Sequence, residues 1–155
     1  MQPTSVSRVV VTGATGIAGA VAAELGAHGA EVFVISRTDS SITELATRTP
    51  LAGFAVADLA DEHAAERAFA MADETLGGFD GLVAVAGGSG RRFGDGPLHE
   101  IPLEGWHRTF DVNLTTTFLA ARQTIRALMA GRRGGSILLT TSVLGWSPSP
   151  VHFST

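Results

Sequence analysis

Short apolar runs alternate along this chain with stretches in which apolar positions recur every three or four residues. Arg8–Thr12 (RVVVT) is a β-branched run of the kind that forms a strand covered on both faces. Gly13 interrupts it, and a helix is predicted over residues 16–28, with Ile17, Val21 and Leu25 at every fourth position and Gly29 as the stop signal. Glu31–Ser36 (EVFVIS) predicts a second strand, residues 41–48 a short helix and residues 53–57 a third strand. Asp61 has the chemistry of an N-cap, with Glu62 in the first turn of a helix that carries Ala65, Phe69, Ala72 and Leu76 on one face. Residues 81–86 (GLVAVA) predict a fourth strand and residues 87–97 a glycine-rich loop. The longest helix is predicted over residues 111–130, with Leu114, Phe118, Ala121, Ile125 and Leu128 along a stripe read as core packing. Gly131 and Gly134 bracket its end, where Arg132 and Arg133 suit the negative end of the helix dipole. Residues 136–141 (SILLTT) predict a fifth strand, whose consecutive Ile137, Leu138 and Leu139 suit burial from both faces.

Strands alternating with helices at this spacing predict the α/β class: a parallel sheet with helices on both faces. Right-handed crossovers then give a doubly wound sheet with strand order 3-2-1-4-5. No repeat, low-complexity tract or linker interrupts the pattern, so residues 1–155 read as one domain.

Composition narrows the chemistry. With 45% hydrophobic and 17% charged residues, the chain has too much apolar content and too little charge for disorder. A net charge of -4 gives no general attraction to nucleic acid or anionic lipid. The absence of cysteine excludes disulfides, iron–sulfur clusters and thiolate zinc sites. His28, His63, His99 and His107 show no ligand spacing, so no metal is expected. Residues 1–7 lack the apolar core of a signal peptide, and no apolar run approaches a membrane span; a soluble, cytoplasmic protein is the expectation. The sequence also has no tyrosine, and its 11 basic residues are all arginines. A phenol as proton donor, or an amine as Schiff base, is therefore not available from these residues.

Between the first strand and the first helix lies Thr12-Gly13-Ala14-Thr15-Gly16-Ile17-Ala18-Gly19. Glycine serves three needs there: a sharp turn, close approach of the backbone to a pyrophosphate, and tight helix–strand packing. The helix N-terminus then offers unpaired N–H groups to phosphate. No lysine follows, so it is not a phosphate-transfer loop of the Walker kind. The tip of the second strand reads Ser36-Arg37-Thr38, without the carboxylate that accepts from the ribose 2′-OH of NAD. A guanidinium there can fork onto a 2′-phosphate, so NADP is expected in preference to NAD.

These features together make the chain resemble the short-chain dehydrogenase/reductase family over essentially all of its length. The glycine loop is similar to that family's TGxxGxxG form. Asp58-Leu59 resembles the pair at the end of the third strand, whose aspartate accepts from the adenine amino group. Ala84-Val85-Ala86-Gly87 stands where the family has Asn-Asn-Ala-Gly, with both asparagines missing. Asp111-Val112-Asn113-Leu114 resembles the (D/N)-V-N-L stretch whose asparagine organises a proton relay. Thr140-Thr141-Ser142-Val143 resembles the stretch that supplies the catalytic serine. The resemblance implies a Rossmann-like fold and a nicotinamide dinucleotide held by Gly13, Thr15, Gly16, Ile17, Gly19, Ser36, Arg37, Asp58, Leu59, Ala84, Ala86 and Gly87. It implies Ser142 and Asn113 as a partial catalytic set.

The family's Tyr-x-x-x-Lys, which follows the serine, is absent; the sequence reaches Pro150-Val151-His152-Phe153-Ser154-Thr155 and ends. Phe153 has no hydroxyl, and His152 in a terminal loop is a poor replacement acid. The expectation is the N-terminal, cofactor-binding part of a short-chain oxidoreductase, truncated before the Tyr–Lys motif. A small carbonyl or alcohol substrate enters only when the chain is completed. A non-catalytic NADP(H)-binding or sensing module and an unstable truncated remnant are the alternatives. Arg91 and Arg92 read as solvated loop residues on the cofactor side. The uncovered edge of the fifth strand, with no charge on it, points to self-association.

Overall fold

The computed structural model describes residues 8–143. Ten principal elements alternate along it: β1 (Arg8–Thr12), α1 (Gly16–Ala27), β2 (Glu31–Ser36), α2 (Asp39–Ala46), β3 (Gly53–Val56), α3 (Glu62–Leu76), β4 (Gly81–Ala84), α4 (Leu103–Phe110), α5 (Thr116–Ala130) and β5 (Ser136–Leu139). The five strands form one parallel sheet in the order 3-2-1-4-5, as the alternation predicts. β1 lies at its centre, with Val9 opposite both Val32 and Gly81.

Strand periodicity of two divides the core into two layers. Val9, Val11, Val32 and Val34 face α1 and α2, meeting Ala18, Ala22, Ile42 and Leu45. Val10, Phe33, Ile35 and Leu82 face the other way, onto Ala65, Phe69, Ala72, Leu76, Leu119 and Ala120 of α3 and α5. The run Val9-Val10-Val11 is apolar throughout because the sheet is covered on both sides there. α3 begins as its cap chemistry predicts: the Asp61 carboxylate accepts from the Ala64 N–H at 2.6 Å. It ends at Gly77, whose left-handed φ of 61° suits glycine.

Three expectations are corrected. In α1 the buried face is Ala18, Gly19 and Ala22, whereas Ile17 is 64% exposed and Val21 and Leu25 only flank the core. Small residues let this helix sit close to the strands; a Cβ on Gly19 would stand 2.9 Å from the Ala14 carbonyl oxygen. The long helix begins earlier than residue 111: α4 runs through a π-helical turn, Asp111–Thr115, into α5. Its buried face is Thr116, Leu119, Ala120, Gln123 and Thr124, while Leu114, Phe118 and Ile125 are exposed. The helix meets the alanines of α3 through its own small residues, which brings the backbones near and turns the large apolar stripe away. Ion pairs Arg122–Glu62 (2.6 Å) and Arg133–Asp73 (3.0 Å) fasten it to α3. β5 is shorter than residues 136–141 and exposed along its whole length, because only β4 pairs with it among the described residues. Smaller differences lie at α2, which starts at Asp39 rather than residue 41, and at β4, which ends at Ala84 rather than residue 86.

Candidate functional site

The strand order reverses between β1 and β4, and the carboxyl ends of these strands open onto a crevice there, the usual ligand position in such sheets. Two cavities meet along it, separated by Ala86 and Gly87, which line both. The inner one, of about 210 Å³, collects Gly13, Thr15, Ser36, Arg37, Leu59, Ala86 and Gly87. Ala14, Ile35, Ala57 and Val112 add apolar wall, beside the Thr116 side chain, that sequence reasoning did not assign to the site. The outer one, of about 670 Å³, is lined by Asn113, Thr140, Thr141 and Ser142 together with Leu114, Arg91 and Leu139.

The floor is built by the chain's own hydrogen bonds. The Thr12 hydroxyl, buried in β1, accepts from the Val85 and Ala86 N–H groups, both at 3.1 Å. It thereby holds the segment after β4 at the point where strand pairing stops. Thr12→Val keeps the shape and leaves both N–H groups without their acceptor. A loss of about 1–3 kcal/mol in denaturant unfolding is expected, together with weaker dinucleotide binding. An unchanged midpoint would show that water replaces the hydroxyl.

Asn113 sits in the π-helical turn, a feature that concentrates at functional sites. Its amide donates to the carbonyls of Gly88 and Thr109, both at 3.0 Å, and its Oδ1 accepts from the Gly88 N–H at 2.9 Å. One donation and the Oδ1 acceptor thus fix the loop after β4, and the other donation ties the side chain back to α4. A side chain at Gly87 would bring its Cβ within 2.6 Å of that Oδ1, which is why glycine stands there. The backbone carbonyl of Asn113 accepts from the Thr117 hydroxyl at 2.7 Å.

The glycine loop behaves as a cradle. Gly13 adopts φ of 98°, and a Cβ there would stand 3.0 Å from the Ala18 methyl. Thr15 precedes α1 without capping it through its side chain, so the first N–H groups of the helix stay available to a ligand. These features fit a dinucleotide pyrophosphate. Gly16 has open space around it, whereas Gly19 serves helix packing and Ile17 projects outward. Ala84 belongs to the sheet core rather than the crevice wall. Leu59, buried, lines the inner cavity, while Asp58 lines the neighbouring surface beside Arg37 and accepts from the Ala60 N–H at 3.0 Å. His152 and Phe153 lie outside the described residues.

Known proteins share this fold. The profile of the short chain dehydrogenase family matches residues 7–154, and the chain belongs to that family. Among its relatives, glucose 1-dehydrogenase 2 of Bacillus subtilis is 33% identical over 146 residues, covering 92% of this chain and 57% of that protein. Inactive 2-(S)-hydroxypropyl-CoM dehydrogenase 2 of Xanthobacter autotrophicus is 36% identical over 110 residues, 70% of this chain and 46% of its own. A short-chain type dehydrogenase/reductase from Mycobacterium marinum superposes with a TM-score of 0.87 at 27% identity, covering 96% of this chain and 61% of that one. An actinorhodin polyketide ketoreductase solved with NADPH superposes at 0.81 with 30% identity, over 92% of this chain and 56% of its own. The chain spans about half the length of the curated relatives it matches. No helix among the described residues is long and apolar enough to cross a membrane.

Proposed function

We propose that this chain is the cofactor-binding part of a short-chain oxidoreductase that uses NADP(H) in preference to NAD(H). The nicotinamide ring, when bound, exchanges hydride with a carbonyl or secondary alcohol. The glycine loop and the N-terminus of α1 hold the pyrophosphate, and Leu59, Ala86 and Val112 give the adenosine an apolar wall. Ser142 hydrogen-bonds the substrate oxygen in the outer cavity. Asn113 fixes the Ala86–Gly88 wall between the two halves of the crevice. The tyrosine–lysine pair that the family uses for proton transfer to that oxygen has no counterpart in these 155 residues, which hold neither residue type. A cytoplasmic setting fits a chain without cysteine.

The observation that carries the cofactor preference is Arg37, exposed at the tip of β2 on the rim of the inner cavity, where NAD proteins place a carboxylate. Titration calorimetry with NADP and NAD on the wild type and on Arg37→Ala tests it. The mutant is expected to lose about 1.5–3 kcal/mol of NADP affinity and none for NAD. Equal affinities in the wild type would overturn the preference.

A second reading, a binding module without turnover, fits Ala84-Val85 standing where the family has two asparagines. Cofactor binding without hydride transfer to any carbonyl, in the longest natural form of the chain, distinguishes it.

A further inference from the structure

Three arginines from two different parts of the fold line one surface pocket beside the inner cavity: Arg37 after β2, and Arg91 and Arg92 in the loop after β4. None of them takes part in an ion pair among the described residues. On the neighbouring surface Arg37 and Arg92 share a pocket with Asp58, Asp61 and Asp111, which screen part of this charge; the pocket that includes Arg91 has no carboxylate of its own.

The loop that carries Arg91 and Arg92 is a seated structure. Residues Gly90–Phe93 form a single 3₁₀ turn, capped by the Ser89 hydroxyl, which accepts from the Arg91 N–H at 3.3 Å. Gly90 lies so close to α4 that a Cβ would stand 2.7 Å from the Thr109 hydroxyl. A Cβ on Gly105 of α4 would collide with the Phe93 carbonyl oxygen. Two glycines therefore let the turn lie directly on the helix. The Arg92 guanidinium stacks on the Phe93 ring at 4.8 Å from its centroid, which restricts the side chain before any ligand arrives.

A surface pocket joins this turn to Arg37. It is lined by Arg37, Gly87, Gly88, Ser89, Arg91 and Arg92, with no carboxylate among them. Arg37 and Gly87 also line the inner cavity, so the pocket abuts the place the adenosine ribose would take.

We infer that Arg91 and Arg92 are specificity-determining residues that close on a ribose 2′-phosphate from the side opposite Arg37. This rests on the NADP reading above and extends it: the phosphate is held between two chain segments rather than at the strand tip alone. The two parts of the clamp differ in kind. Arg37 is placed by the sheet, whereas Arg91 and Arg92 are placed by the packing of a turn on α4. The same anion pocket adjoins the outer cavity through Ser89 and Arg91, so an anionic group on a substrate is the competing source of the charge it answers.

Adenosine 2′,5′-bisphosphate and AMP separate these ideas, because they differ only in the 2′-phosphate and neither reaches the outer cavity. Binding is measured by calorimetry on the full chain for the wild type, Arg37→Ala, Arg92→Ala and the Arg91→Ala/Arg92→Ala double variant. Circular dichroism confirms that each is folded. The wild type is expected to prefer the bisphosphate. Arg92→Ala should lose about tenfold or more of that preference, and the double variant more still, with AMP affinity unchanged. Arg92→Lys should recover only part, since an ammonium keeps the charge but not the fork or the stacking. A wild type without preference for the bisphosphate overturns the NADP reading itself. A preference that Arg37→Ala abolishes and the Arg91/Arg92 variants retain leaves that reading standing and overturns the clamp. Equal losses of bisphosphate and AMP affinity in the double variant overturn it too, since they would reflect a displaced loop or general charge.

Discussion

Replacing Phe33 with alanine is expected to remove about 3–5 kcal/mol of stability, the cost of excavating a large aromatic side chain from a packed core. Phe33 is 1% exposed and lies on β2, between β1 and β3, in the layer covered by α3. The packing around it is already close: a Cβ on Gly53 of β3 would come within 2.9 Å of the ring, and Thr75 of α3 would crowd the same Cβ at 3.0 Å. The neighbours have grown around the ring by becoming small, so they have little volume with which to refill the hole. A domain of this size has about 5–15 kcal/mol in total, so the variant stands near the edge of unfolding. Urea denaturation followed by circular dichroism reads the effect directly. A shift below about 1 kcal/mol would mean that the strands collapse into the cavity far better than rigid packing allows.

Self-association of the 155-residue chain is the second large expected effect. Ile137, Leu138 and Leu139 of β5 are 37%, 57% and 46% exposed, and no charged residue lies on the strand. Only β4 pairs with β5 among the described residues, which leaves its other edge as a template for another strand. Leu114, Phe118 and Ile125 add exposed apolar surface on the neighbouring helical segment. Covering a few hundred Å² of such surface, at about 25 cal/mol per Å², yields several kcal/mol in favour of association. Sedimentation velocity at tens of micromolar is expected to show dimers or larger species. Leu138→Glu should shift the distribution towards monomer by placing charge on the edge. A wild type that sediments as a single monomer, with one cooperative melt, would show that this surface is satisfied within the chain.

The fold was largely legible because its signals are local. Each strand of the sheet announces itself as an apolar run, and the Asp61 cap and Gly77 stop of α3 stand where their side-chain chemistry places them. The strand order follows from handedness alone once the elements are known. The glycine loop was legible for the same reason: a turn that needs φ of 98° at Gly13 selects its residue directly. That Arg37 lines the inner cavity was legible because its position is counted from the end of a strand.

What the sequence misplaced is what depends on the distance between elements. Large apolar residues on α1 and α5 looked like core, yet Ile17 and Phe118 face outward and Ala18, Ala22 and Ala120 face in. Periodicity reports which residues share a face, but not how near the opposing backbone comes, and close approach selects small residues over large ones. The start of α4 was missed because Pro102 stands at its N-cap, where no Ser, Thr, Asp or Asn side chain marks a helix start.

The sequence by itself determined the class, the sheet order and the family, because propensity, capping and glycine φ are properties of a few consecutive residues. Only the tertiary structure decided which of the marked residues share a cavity. It put Leu59 on the crevice wall and Ala84 in the core. It committed the Asn113 amide to a loop 25 residues away. It turned Arg91 and Arg92 from loop residues into the far side of the Arg37 pocket. Contacts of that kind join segments far apart in the chain. They are fixed by how one helix sits on its neighbours, which no local pattern encodes.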